Sequence, residues 1–187
     1  MELNDIITVN WMYEKFYPYV ARQILDEYGR TSGRALEMGA YAPGISAALL
    51  ALAPDLEITV ADNTPGLKPH FEDYLSRAGA LEKVRIEEGD VEALHYPDAT
   101  FDLVYFRGAL FFIWDPVKLL READRVLKPG GVALIGGGFG AGAPNEEIDP
   151  IAAEARDLNR KLGKRVVSHE EAEAYAREAG VWERSRL

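Results

Sequence analysis

The sequence predicts an α/β fold of the Rossmann-like, doubly wound kind: a mostly parallel sheet with helices on both faces. Three observations carry that expectation. Short runs at residues 34–38, 57–61, 84–87, 101–106 and 132–135 have the length of strands, and 57–61 is β-branched. Helical patterns at 45–53, 69–78 and 116–127 fall between them. A chain of 187 residues, 48% hydrophobic and 28% charged, is long enough for one domain with a real core.

The elements follow in order. Residues 4–28 read as helical, with Ile7, Trp11, Phe16, Val20 and Ile24 on an imperfect stripe that Pro18 splits in two. Glycines 29 and 33 break the pattern before the first strand. Pro43 and Gly44 open the next helix, and the strand over 57–61 (EITVA) follows it. A helix over 69–78 leads to the strand over 84–87. The strand over 101–106 precedes a helix over 116–127. Pro129, Gly130 and Gly131 predict a turn, and 132–135 the fifth strand. Residues 136–144 are too rich in glycine for a regular element. A polar helix is expected over 150–162. Ser168 caps another that ends at Gly180, and residues 181–187 read as one last strand. The expected organisation is a single domain with N-terminal helices over 1–30, a ligand-binding core over 34–135, and loop, helices and final strand over 136–187.

Composition excludes several chemistries. With no cysteine in the sequence there are no disulfides, zinc–thiolate sites or cysteine nucleophiles. The longest apolar run is too short to span a bilayer, and no secretory leader pattern opens the chain, so the cytoplasm is the expected compartment. A net charge of −10 opposes phosphate backbones and argues against a nucleic-acid substrate. The three histidines lack metal-ligand spacing, so no metal is expected.

The functional pattern begins at the turn after the first strand, from Glu37 through Gly39, Ala40, Tyr41, Ala42 and Pro43 to Gly44. In a wound sheet, ligands sit at the carboxyl ends of the strands, where strand order reverses. Glycine there lets the backbone approach a ligand, and the next helix offers free N–H groups. A plain strand–helix turn would use glycine just as readily. Asp62 stands 25 residues after Glu37, at the end of the second strand. That is the place and type of acid that receives hydrogen bonds from ribose hydroxyls, although a turn aspartate before Thr64 and Pro65 reads similarly. Gly89, Asp90 and Val91 follow the third strand, where a carboxylate accepts either an adenine amino group or the backbone of an Asx turn. Arg107 leaves the fourth strand as a charge in need of a partner, an anionic ligand or a structural carboxylate such as Glu37.

These segments, in this order, resemble the class I S-adenosylmethionine-dependent methyltransferases, in particular the small-molecule group related to quinone-biosynthesis enzymes. The stretch 35–39 (ALEMG) is similar to the family's first motif, 60–62 (VAD) to its second and 84–90 (VRIEEGD) to its third. The stretch 97–104 (PDATFDLV) is similar to the lead into the fourth strand, and 115–131, ending RVLKPGG, to its most recognisable segment. The resemblance spans residues 34–135. It implies S-adenosylmethionine as cofactor, S-adenosylhomocysteine as product, and a cofactor set of Glu37, Gly39, Ala40, Tyr41, Gly44, Asp62, Asn63, Asp90, Val91 and Arg107.

The sequence departs from the family at the turn, which is one residue longer and carries Tyr41 and Ala42 in its central glycine region. Phe111 and Phe112 stand where many relatives have paired histidines. The family's last antiparallel strand is missing. Methyl transfer to a small-molecule acceptor is therefore the leading expectation, and a non-catalytic module that keeps the fold, with a regulatory or subunit role, is the alternative. A nicotinamide oxidoreductase fits worst, because Gly39 and Gly44 lack that fingerprint's spacing. No general base stands out: His95 has either a cleft-facing or a solvated place. Tyr13, Phe16, Tyr17, Phe111, Phe112 and Trp114 are candidates for an apolar acceptor pocket or for the core. A bare final strand over 181–187 would invite a homodimer, with Glu183 facing an arginine across an antiparallel pair.

Overall fold

The computed structural model describes residues 3–39, 43–108, 110, 113–161, 163 and 166–186. Five strands form one parallel sheet: β1 (Ser32–Met38), β2 (Asp55–Asp62), β3 (Val84–Glu88), β4 (Phe101–Phe106) and β5 (Leu127–Ile135), in the order β3-β2-β1-β4-β5. The chain winds outward from β1 to β3, then returns to β4, so strand order reverses between β1 and β4. Ala35 sits between Ile58 of β2 and Leu103 of β4, which puts the end of β1 at that switch point.

Alternation of side chains along each strand makes two cores. On one face Ala35, Ile58, Val60, Leu103 and Tyr105 pack under α2 (Tyr17–Tyr28), α3 (Gly44–Leu52) and α4 (Leu67–Arg77). On the other, Leu36, Met38, Ala61, Val104 and Phe106 pack against Leu119, Ala123 and Val126 of α5 (Pro116–Val126). The central strands are apolar on both faces because both faces are covered.

Helix α1 (Leu3–Tyr13) is followed by a 3-10 turn, Glu14–Phe16, and Pro18 falls in the first turn of α2, where a missing N–H costs nothing. The Pro129–Gly131 turn is absorbed into β5 as a bulge. Phe101 pairs with Leu127, whereas Leu103 already pairs with Val132, and Gly130 has φ +76°. Helix α6 (Asn145–Lys161) begins five residues before the expected start and carries Pro150 inside it. Helix α7 (His169–Ala179) has the expected ends: Ser168 and Glu171 form a reciprocal capping box, and Gly180 closes the helix at φ +82°.

Of the final strand expected over 181–187, the described residues 181–186 form none. Trp182–Arg184 is a 3-10 turn, and α7 and this turn lie on α5 rather than beside the sheet. Arg121 donates to the Glu178 carbonyl at 2.8 Å, Arg184 pairs with Asp124 at 2.8 Å, and the Arg177 guanidinium covers the Trp182 ring. In sequence this short segment reads as a strand, but its arginines are held by helices instead, Arg184 by Asp124 of α5 and Arg186 by Glu27 of α2. The two-fold pairing of Glu183 with an arginine loses the strand on which it was to be built.

The glycine-rich segment 136–144 runs against the N-terminal helices. The Phe139 ring stacks on Tyr13 (centroids 5.2 Å apart, 15° between planes) and meets Phe16 edge-on at 4.8 Å. Gly140, at φ +86°, abuts the backbone of Tyr19 and Val20, with which a Cβ would collide. Gly140→Ala is therefore expected to cost about 1–3 kcal/mol. Gly142→Ala, at φ +79° in open space, should cost only the left-handed penalty of roughly 1 kcal/mol. Urea denaturation of both variants is the check, and equal losses would show that the segment is not packed on the helices.

Candidate functional site

A cleft of about 340 Å³ opens at the carboxyl ends of β1, β2 and β3. It is lined by Gly39, Asp62, Asn63, Thr64, Asp90, Val91, Glu92, Ile113 and Trp114. Most of the lining comes from Asp62, the last paired residue of β2, and from the residues that follow β1, β2 and β3, where the chain must turn. Gly39 takes φ +59°, and a Cβ there would lie 3.3 Å from the Phe106 ring and 3.6 Å from Val91. Glycine is thus required both by the backbone angle and by the space. Its N–H donates to the Ala61 carbonyl at 2.8 Å, which fixes the turn against β2.

The two aspartates are held by their own turns. Asp62 accepts from the Thr64 N–H at 2.7 Å and Asp90 from the Glu92 N–H at 2.9 Å, so each forms an Asx turn and each also faces the cleft. The two sequence readings of these residues are compatible: one carboxylate oxygen shapes the loop and the group still borders the cavity. Burial raises the Asp62 pKa. Glu92 accepts from the Asp115 N–H at 2.9 Å, tying the β3 loop to the start of α5, where Asp115 caps the helix. Trp114 is 94% exposed at the cleft's rim.

Glu37 is placed differently. Its carboxylate is buried beneath the turn, accepts from the hydroxyls of Ser46 and Tyr105, and is not among the cleft-lining groups. Ser46 and Tyr105 oxygens are themselves 2.8 Å apart. Burial pushes the Glu37 carboxyl up to about 8, against the lowering effect of those two hydrogen bonds. At neutral pH this group mostly keeps its proton. Gly44 starts α3 under the Tyr17 ring, which a Cβ would strike. Ala40, Tyr41, Ala42, Phe111 and Phe112 lie outside the described residues.

Arg107 lies past the end of β4. Its Nε is buried without a hydrogen-bond partner, and burial lowers its pKa. Of the aromatic candidates, Phe16 and Tyr17 are core residues and Trp114 borders the cleft. Above Gly44 a polar group gathers from α1, α2 and α4. Tyr17 donates to the Asn10 carbonyl at 3.2 Å, and Asn10 Nδ2 lies 3.5 Å from His70 Nε2. His95 stands on the surface, 3.4 Å from Glu87 and stacked near Tyr96. Among the described residues no group of three or more His, Asp or Glu converges as a metal site, and no helix is long and apolar enough to cross a membrane.

Sequence reasoning did not single out Thr64, Glu92 and Ile113 as cleft residues. Thr64 and Glu92 immediately follow Asn63 and Val91, so their adjacency was the available signal. It also passed over Arg125, the organiser of the loop between β3 and β4. Arg125 donates to Glu122, to Asp98 at 2.8 Å, and to the carbonyls of Tyr96 and Leu94 at 2.7 and 2.9 Å. Those bonds hold the Glu122 carboxyl below the usual glutamate range.

The chain is similar to known proteins at the same segments. A methyltransferase-domain family model matches residues 36–135. The 27-O-demethylrifamycin SV methyltransferase of Amycolatopsis mediterranei is 32% identical over 152 residues, covering 81% of this chain and 55% of that enzyme. The ubiquinone/menaquinone biosynthesis C-methyltransferase of Pasteurella multocida is 34% identical over 84 residues, covering 45% of this chain and 31% of that enzyme. The chain therefore spans about half or less of the length of these curated relatives. In structure it is similar to a putative S-adenosyl-L-methionine-dependent methyltransferase of Methanococcus maripaludis. The TM-score is 0.78 at 30% identity, over 95% of this chain and 80% of that one.

Proposed function

Because the chain belongs to the class I S-adenosylmethionine-dependent methyltransferases, we propose that it transfers a methyl group from S-adenosylmethionine to a small-molecule acceptor. The observation that carries this reading is the cleft at the switch-point end of the sheet, with Gly39, Asp62 and Asp90 on its walls. The residues fit the cofactor's chemistry. Asp62 and Asn63 offer acceptors and a donor for ribose hydroxyls, and Asp90 and Val91 offer a carboxylate and an apolar edge for adenine. Gly39, whose positive φ disfavours any side chain, leaves its backbone open to close approach. Glu37 serves this set from below, by holding Ser46 at the start of α3 through a buried hydrogen bond.

The cofactor supplies an electrophilic methyl on a sulfonium, so the protein's task is alignment and exclusion of water. The acceptor would enter from the side of the N-terminal helices, where the partly exposed rings of Tyr13 and Phe139 stack in front of the buried Phe16. A net charge of −10 favours a small molecule over a nucleic acid as acceptor, and a cysteine-free composition suits the cytoplasm.

The test is calorimetry with S-adenosylhomocysteine and with NAD. Binding of the first and not the second is expected. Asp62→Ala should weaken S-adenosylhomocysteine about tenfold to a hundredfold, the value of one hydrogen bond to a charged group. No heat with the sulfur ligand at millimolar concentration would overturn the reading. An unchanged dissociation constant in Asp62→Ala would leave that residue as a turn former only.

A further inference from the structure

The cleft gives a role to Gly39, Asp62, Asn63, Asp90 and Val91, but none to Arg107. This residue directly follows β4, and its neighbours in the sheet are β1, which ends at Gly39, and β5, which ends at Gly136. It therefore stands at the strand-order reversal, on the border between the cofactor turn and the glycine-rich segment after β5. Its Nη2 lies 3.4 Å from the position a Cβ would take on Gly138. Gly138 is held there by its neighbours: Phe139 is clamped between Tyr13 and Phe16, and Gly140 abuts the backbone of Tyr19 and Val20. The segment forms a strap over the guanidinium.

What the guanidinium lacks is an anion. Among the described residues it makes no ion pair, and its buried Nε has no hydrogen-bond partner. The adjoining stretches at 40–42, 109 and 111–112 are alanine, tyrosine and phenylalanine, which carry no carboxylate. Arg125 makes the contrast clear, since its guanidinium binds two carboxylates and two carbonyls. A partly buried cation without a counter-charge is costly. Arginine's planar fork is also the group best matched to a carboxylate, which it holds through two parallel N–H donors.

We propose that Arg107, roofed by the strap at Gly138, is an anion-recognising residue that takes a carboxylate-class group at the mouth of the site. The proposal rests on the cofactor reading of the cleft. The carboxylate has two sources, the acceptor or the amino-acid end of the cofactor, and both present the same chemistry to the guanidinium. The Phe139 ring, next in the chain after Gly138 and stacked on Tyr13, suits an acid whose remainder is apolar or aromatic.

The experiment follows the Arg107 Nε resonance by nitrogen-detected NMR and binding by calorimetry, in the wild type and in Arg107→Gln and Arg107→Lys. The ligands are S-adenosylhomocysteine, 5′-methylthioadenosine, which has the same nucleoside but no carboxylate, and benzoate added with and without S-adenosylhomocysteine. A loss of about tenfold or more for S-adenosylhomocysteine in Arg107→Gln, with methylthioadenosine unchanged, supports the proposal with the cofactor as source. Unchanged S-adenosylhomocysteine binding, with a benzoate-induced Nε shift in the wild type and benzoate binding lost in Arg107→Gln, supports it with the acceptor as source. In either case Arg107→Lys should recover only part of the affinity, because an ammonium cannot form the paired bonds. An Nε resonance unmoved by both carboxylates, with unchanged affinities in Arg107→Gln, overturns the proposal. Should S-adenosylhomocysteine fail to bind the wild type, the cofactor reading falls; the benzoate shift in the ligand-free protein still decides for or against Arg107, whether or not the variants fold.

Discussion

Glu37→Gln is expected to become progressively more stable than the parent as pH rises from about 4.5 to about 8. The carboxyl is buried and its pKa stands at about 8, against an ordinary 4.5. A folded-state value raised in this way means that the fold prefers the protonated group. Its contribution is fully present below the unfolded value and is lost as pH climbs through the folded one. The gap corresponds to about 4–5 kcal/mol between the two ends of the window. Glutamine has nearly the same shape, keeps a carbonyl to accept from Ser46 or Tyr105, and does not titrate. The two proteins should therefore have similar stability near pH 4 and diverge above it, reaching a constant difference past pH 8. Urea denaturation at several pH values measures the difference directly, since every other titrating group is common to both. Parallel profiles would show that Glu37 ionises freely in the folded state, which its enclosure by Ser46 and Tyr105 does not permit.

Phe106→Ala should cost about 3–5 kcal/mol, the usual loss for removing a buried ring. Phe106 ends β4, is fully buried, and packs among Leu36, Met38, Val104 and Leu119 on the α5 face. Its ring also supports the cofactor turn, lying within 3.3 Å of the Cβ position of Gly39. The variant should therefore lose S-adenosylhomocysteine affinity in addition to stability, measured at a temperature where it remains folded. Phe106→Leu, which refills most of the volume, should recover most of both. A loss below 1 kcal/mol in Phe106→Ala would mean that the turn and α5 do not lean on this ring.

The residues that the sequence alone placed well are those whose role is local. Strand and helix positions follow from the sequence pattern, because residues 35–38, 58–61 and 103–106 are buried on both faces of a covered sheet and are apolar but for Glu37 and Thr59. Ser168, Glu171 and Gly180 announce both ends of α7, because a capping box and a left-handed glycine are contacts within a few residues. Gly39, Asp62 and Asp90 could be read as a set because each sits at the end of a strand or just past it, and a parallel sheet brings all such ends to one edge.

Other features were settled only by contacts distant in the chain. Residues 181–186 read as a strand in sequence, yet Asp124 of α5 and Arg177 of α7 hold them as a turn on the helical layer. Glu37 has the place of a ligand-facing acid in sequence. Its real partners are Ser46 on α3 and Tyr105 on β4, the latter 68 positions away, and they enclose it. Arg107 showed only a charge at the end of a buried strand. That no carboxylate among the described residues reaches it, and that Gly138 lies over it, are facts of tertiary packing. The physical reason is common to all three. Periodicity and turn chemistry are written in neighbouring residues, whereas the partner of a charge is whatever the finished fold brings within a few ångströms of it.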